Sequence, residues 1–152
     1  MTDLRGRLAY AVAVSGGAGL VPAWPGTAGA VIGIPVALAL VSGPLWFTLA
    51  GCAALFALGV WASSWMCLEA GVDDPQIVVI DETFGCAATL CCLPVDPLWW
   101  AAGFVAFRAF DIVKPWPIQL VENKVKGGLG VMLDDAAAAA IAAAVLLLAI
   151  QA

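Results

Sequence analysis

The sequence predicts a single all-α domain over residues 1–152, a small integral membrane protein whose short or re-entrant hydrophobic helices return repeatedly to one polar side. Three observations predict it. The chain is 64% hydrophobic and only 11% charged, with a mean hydropathy of +1.04, well outside the range of soluble domains. No charged side chain occurs between Leu8 and Leu68, and 18 or more apolar residues in succession already mark a spanning helix. Glycine and proline gather in clusters that punctuate the apolar runs as turns do.

The elements follow in order. Arg5 and Arg7 precede a short apolar stretch, Leu8 to Val14, which is too short to cross and reads as an interfacial helix. Glycines and prolines from Gly16 to Gly29 read as a loop. Ala28 to Leu68 is uncharged and broken at Ser42-Gly43-Pro44, predicting a helical hairpin with a short first leg and a longer second. Glu69 to Glu82 carries five acids; Thr83 to Leu93 leaves the polar side, turns at Leu93–Pro97 and returns through Trp99 to Phe107. Phe107 to Asp135 is polar, and Ala136 to Ala152 reads as a final Ala/Leu-rich helix with Asp134 or Asp135 as its N-terminal cap. On this path every Lys and Arg lies on one face, the cytoplasmic one by the positive-inside rule, and Asp96 alone is a charge on the other. Legs of eleven to seventeen residues cover only ~16 to 26 Å, against ~30 Å of hydrocarbon.

Several chemistries are excluded early. Six basic residues are too few for a nucleic-acid partner. The chain has no histidine, which removes histidine-ligated zinc and histidine phosphoenzymes. Cys52, Cys67, Cys86, Cys91 and Cys92 all sit in apolar surroundings and read as packing residues. Nothing in the sequence specifies an oligomeric state.

Charges that survive in so apolar a chain mark the chemistry, and nearly half of them fall between Phe107 and Asp135. Arg108, Asp111 and Lys114 recur every three residues, on one side of a helix that Pro115 and Pro117 then stop. A basic, glycine-rich loop with Gly127 and Gly128 closes on the paired carboxylates Asp134 and Asp135. Guanidinium, ammonium and carboxylates together point to a phosphate held beside a divalent cation. Asp81 and Glu82 interrupt an apolar helix, where unpaired carboxylates are costly, and favour a metal site; Gly85, one turn on, is expected to clear space above Asp81. Gly17 to Gly29, with Gly26 and Thr27, opens into a helix whose first amides suit an anion.

These motifs resemble the phosphatidylglycerophosphatase A family, bacterial membrane lipid phosphatases. The resemblance rests on G-x-G-x-x-P-x-x-P-G-T-x-G at Gly17 to Gly29, I-V-x-x-D-E-x-x-G reaching Gly85, F-R-x-F-D-x-x-K-P-x-P-I at Phe107 to Ile118, and G-G-x-G-x-M-x-D-D at Gly127 to Asp135. It covers almost the whole chain. Gln119, where a basic residue is usual, and the alanines after Asp135 depart from the pattern without touching a candidate ligand. The resemblance implies Mg²⁺-dependent hydrolysis of phosphatidylglycerophosphate to phosphatidylglycerol and inorganic phosphate, on the cytoplasmic face of a bacterial inner membrane. The residue chemistry agrees: Asp81, Glu82, Asp134 and Asp135 suffice as metal ligands, Asp111 either orients Arg108 or joins the metal site, and Gly26, Thr27, Arg108, Lys114, Gly127 and Gly128 are expected about the substrate. Two rivals predict otherwise. A non-catalytic subunit with an acid-lined ion path would place its acids at mid-membrane, and a phosphatidyl transferase needs aspartates spaced along adjacent helical turns, which the sequence lacks.

Overall fold

The computed structural model describes residues 3–116 and 118–152, apart from the side chains of 121–123; among these every regular element is helical. Among the described residues the α-helices are α1 (Leu4–Ala13), α2 (Pro25–Val41), α3 (Leu45–Ala70), α4 (Ile80–Cys91), α5 (Pro97–Val113), α6 (Ile118–Lys124) and α7 (Gly127–Gln151). Two are long and apolar enough to cross a bilayer, α3 with 26 residues and α7 with 25, or ~39 and ~38 Å at 1.5 Å per residue. By the same rule the 12-residue α4 covers only ~18 Å and does not cross alone.

Local chemistry sets most boundaries. Asp3 caps α1 by accepting a hydrogen bond from the Gly6 amide at 3.0 Å. Pro25 opens α2 at a position where a missing amide proton costs nothing. The predicted hairpin forms, with Ser42-Gly43-Pro44 between α2 and α3, and α3 ends where Gly71 takes the left-handed cap at φ 69°. Asp96 caps α5 through the amides of Leu98 and Trp99.

The outer surface is apolar: Leu45, Trp46, Leu49, Val105 and Leu148 all stand exposed, the reverse of a water-soluble bundle. Inside, α4 is the hub, packed chiefly on α2 and α7. The buried residues there are small, with Ala30, Ala37, Ala87, Ala138 and Ala142 fully covered. Small residues let backbones approach where no water is present to drive association. A Cβ on Gly33 would lie 2.7 Å from the Thr83 carbonyl oxygen and 2.8 Å from Cys86 Cβ, so α2 and α4 could not approach as they do with any larger residue.

Three expectations change. The loop expected up to Gly29 ends at Trp24: Ser15–Leu20 coils into a 3₁₀ segment, and Gly26, Thr27 and Gly29 already belong to α2. The last helix starts at Gly127, so Asp134 and Asp135 lie two turns inside it and cap nothing. Gly85 faces the ring of fully buried Phe107 and, at 3.3 Å, the Asp135 carbonyl oxygen; it seats a floor beneath the acids and does not clear space above Asp81. The stop expected at Pro115 comes slightly earlier: α5 ends at Val113, and Lys114, expected on the side of the helix, is its left-handed cap at φ 44°; Pro117 lies outside the described residues.

Candidate active site

The polar side of the bundle holds a cavity of about 450 Å³ where the starts of α2 and α4 meet the end of α5 and the first turns of α7. Asp81, Glu82, Arg108, Asp111, Lys114, Asp134 and Asp135 all line it, together with Gly26. Helices distant in sequence thus deliver to one place what no local segment could assemble.

Asp81 and Glu82 stand in the first turn of α4, where the positive end of the helix dipole favours acids. Asp135 faces them from α7. One carboxylate oxygen from each of these three residues lies within 4.8 Å of the others. Among the described residues, Asp81 Oδ1, Glu82 Oε2 and Asp135 Oδ2 are buried with no hydrogen-bond partner. Buried oxygens left bare are costly. Burial, with the neighbouring carboxylates, pushes the Asp81 carboxyl well above its ordinary range, and burial lifts Glu82 to about 7. Oxygens of this number, charge and spacing suit a hard divalent cation, which would satisfy all three at once. The residues present therefore fit a metal ion.

The cations stand beside this group. Arg108 Nη1 donates to Asp111 Oδ2 and lies 3.7 Å from Glu82 Oε1, which fixes the guanidinium between two carboxylates. Lys114 Nζ reaches Asp134 Oδ2 at 2.6 Å, and Asp134 Oδ1 accepts the Asp135 amide. Asp134 is accordingly held by a lysine, apart from the three-carboxylate group.

The glycines divide. A Cβ on Gly26 would run into Glu82 Oε1 and lie 3.2 Å from Arg108 Nη2, so the bare backbone at the start of α2 forms one wall of the cavity. Thr27 is not part of that wall, and Gly127 and Gly128 line a neighbouring cavity with Asp73, Ser64 and Lys126. Gly128 packs against the Ser64 backbone, and so serves the close approach of α7 to α3.

Other contributors had no evident local signal. Trp24 forms the lip of the cavity at φ 57°, an uncommon conformation for a bulky residue. Thr83 ties the layers together below the acids: its hydroxyl donates to the Gly29 carbonyl at 2.9 Å and meets the Ser15 hydroxyl at 2.7 Å. Asp74, from the acidic stretch before α4, completes the rim. All five cysteines are free and none lines the cavity.

A cluster of bare carboxylates beside an arginine and a lysine, set in one end of an apolar helical bundle, is the chemistry of a protein that handles a phosphate group beside a divalent cation. The sequence matches the description Phosphatidylglycerophosphatase A over residues 11–150. A phosphatidylglycerophosphatase A of Escherichia coli is 39% identical over 83% of this chain and 74% of its own length. One of Haemophilus influenzae is 37% identical over 83% and 78%. A Bacteroides thetaiotaomicron protein, provisionally named a phosphatidylinositol-3-phosphatase, is 39% identical over 78% and 79%. No solved structure matches. The chain belongs to the phosphatidylglycerophosphatase A family, and it is an enzyme that hydrolyses phosphate monoesters.

Proposed function

We propose that this chain hydrolyses phosphatidylglycerophosphate to phosphatidylglycerol and inorganic phosphate, with Mg²⁺ as its cofactor, on the cytoplasmic side of a bacterial inner membrane. One observation carries the reading: three buried, partnerless carboxylate oxygens stand beside an arginine and a lysine on a membrane-embedded frame. Family membership supports the substrate.

Asp81, Glu82 and Asp135 would hold the ion, with Asp134 beside them. When bound, Mg²⁺ neutralises charge on phosphoryl oxygens and makes a coordinated water more acidic. Arg108 and Lys114 bind the remaining phosphoryl oxygens, the first as a planar fork and the second as a point charge. Asp111 aims Arg108, Asp134 aims Lys114, and the amide of Gly26 at the start of α2 adds its dipole. Gly127 and Gly128 act on the substrate only through the placement of α7. Water attacks phosphorus in line as its proton passes to the base, the bond to the glycerol oxygen breaks, and the departing alkoxide takes up that proton to leave as phosphatidylglycerol. Asp111, outside the three-carboxylate group yet within the cavity, is the base we assign to the attacking water.

Purified protein is expected to release phosphate from phosphatidylglycerophosphate with Mg²⁺, to stop on chelation and to recover when Mg²⁺ is restored. Activity that survives exhaustive chelation would remove the metal from the reaction. A rate on phosphatidylinositol 3-phosphate equal to that on phosphatidylglycerophosphate would broaden the assigned substrate.

Replacing all five cysteines by Ala or Ser is expected to preserve most of the turnover, since the thiols serve packing alone. In that background, cysteines at Thr27, Gln76, Gln119 and Lys126 should label with an impermeant reagent from the cytoplasmic side only, and one at Asp96 never from that side. Periplasmic labelling at any of the four would separate the parts of the active site.

A further inference from the structure

A second cavity, about 610 Å³, runs between α2 and α5. Both helices begin or end at the catalytic cavity. Both pack on α4, yet scarcely touch one another, and this leaves a furrow open to the side of the bundle. Val31, Ile34 and Leu38 line its α2 wall; Ala101, Phe104 and Val105 line the other.

On α2 the two faces differ in size. Gly26, Gly29 and Gly33 turn toward α4, whereas the larger Val31, Ile34 and Leu38 border the furrow. On α5, Ala101, Phe104, Arg108 and Ile112 recur at three- and four-residue steps, which puts them on a single stripe. The upper part of that stripe, Arg108 with Ile112, lines the catalytic cavity, and the lower part lines the furrow. Furrow and catalytic cavity therefore follow one another along the same face of α5. From Arg108 down to Ala101 is seven residues, or ~10 Å along the helix. The furrow continues to Pro97, and one leaflet of a bilayer is ~15 Å deep in hydrocarbon. The one charged residue of its lining, Asp96, lies at the far end and is engaged in capping α5.

We propose that this furrow holds one acyl chain of the lipid whose phosphate occupies the catalytic cavity. The proposal rests on the phosphatase reading and adds the lipid's second point of attachment. Its chemistry is that of a long saturated or monounsaturated chain: an apolar track of leaflet depth, followed along the same face of α5 by the cavity assigned to the phosphate and open sideways to lipid. Lateral opening lets the chain slide in without leaving hydrocarbon. Binding energy gathered along the chain is spent in holding the phosphate still at Arg108 and Lys114.

The test compares a dihexanoyl substrate, whose chains end short of Ala101, with a dipalmitoyl substrate, both at one detergent concentration. Ala101→Trp and, separately, Val105→Trp obstruct the furrow; Val105 is 65% exposed, so its replacement intrudes on no packed core. The wild-type protein is expected to favour the long-chain substrate in kcat/KM. Each variant should lose about tenfold on dipalmitoyl substrate, chiefly through KM, and keep its rate on dihexanoyl substrate. Unchanged long-chain kinetics in both variants would overturn the proposal, as would an equal loss on both substrates. A photoreactive group near the end of the acyl chain supplies a readout free of turnover: crosslinks are expected in peptides from α2 and α5 near Leu38 and Ala101, and crosslinks confined to α3 or α7 would also overturn it. Failure of the wild-type protein to release phosphate from either substrate would instead strike the assigned reaction.

Discussion

Asp81→Asn is expected to lower turnover by at least ~10²-fold while the protein still inserts and folds. The substitution keeps shape and volume but deletes one of three charges facing a common point. A metal ion in such a site contributes several kcal/mol of charge stabilisation, and ~2.7 kcal/mol alone corresponds to ~10²-fold in rate. Asp135→Asn should behave alike. Asp134→Asn should cost less, about tenfold, because Asp134 steadies Lys114 and acts at one remove from the ion. Thermal unfolding gives a second reading. Without Mg²⁺ the Asp81→Asn protein should be at least as stable as the wild type, since a buried like charge has gone, while the gain in stability on adding Mg²⁺ should shrink. Turnover near that of the wild type in both Asp81→Asn and Asp135→Asn would dismiss the three-carboxylate centre.

Arg108→Ala is expected to be as damaging, ~10² to 10³-fold in kcat, the range found when a preorganised donor is removed from a developing negative charge. Two effects combine. The phosphoryl group loses its planar fork, and Asp111 and Glu82 lose the cation that stands between them. Arg108→Lys should recover only part of the loss, because an ammonium cannot span two oxygens in one plane. A loss under tenfold, or one confined to KM, would mean that Arg108 greets the headgroup and does not serve the transition state.

Much of this arrangement was written locally. Ser42-Gly43-Pro44 announced the hairpin because a glycine and a proline in the first residues after an apolar run admit few alternatives. Arg108 and Asp111 could be placed on one side of a helix from their spacing alone, and they meet in one cavity with Lys114, which the left-handed cap after Val113 brings there instead of the helix. The start of α7 was obscure for an equally physical reason. Gly127 and Gly128 carry the local signature of a loop, and an acid before an alanine run carries that of a cap; what overrides both is the contact of Gly128 with Ser64, more than sixty residues away. Likewise the pairing of Lys114 with Asp134 crosses α6 and has no trace in spacing. Gly26 was read as a place where a phosphate approaches the backbone; the groups the structure brings close to it are the chain's own Glu82 and Arg108.

All the charged side chains lining the catalytic cavity, from Asp74 to Asp135, lie beyond Gly71, while the first part of the chain lends only Trp24, Pro25 and Gly26. The two halves of the sequence are thus subject to different grammars. In the N-terminal half a substitution is judged by its volume, and at Gly29 and Gly33 even a methyl group is too much; in the C-terminal half it is judged by its charge, where a change of one atom, oxygen to nitrogen at Asp81, is expected to cost most of the turnover. Sequence drift in this molecule should accordingly be permissive in composition before Gly71 and strict in chemistry after it.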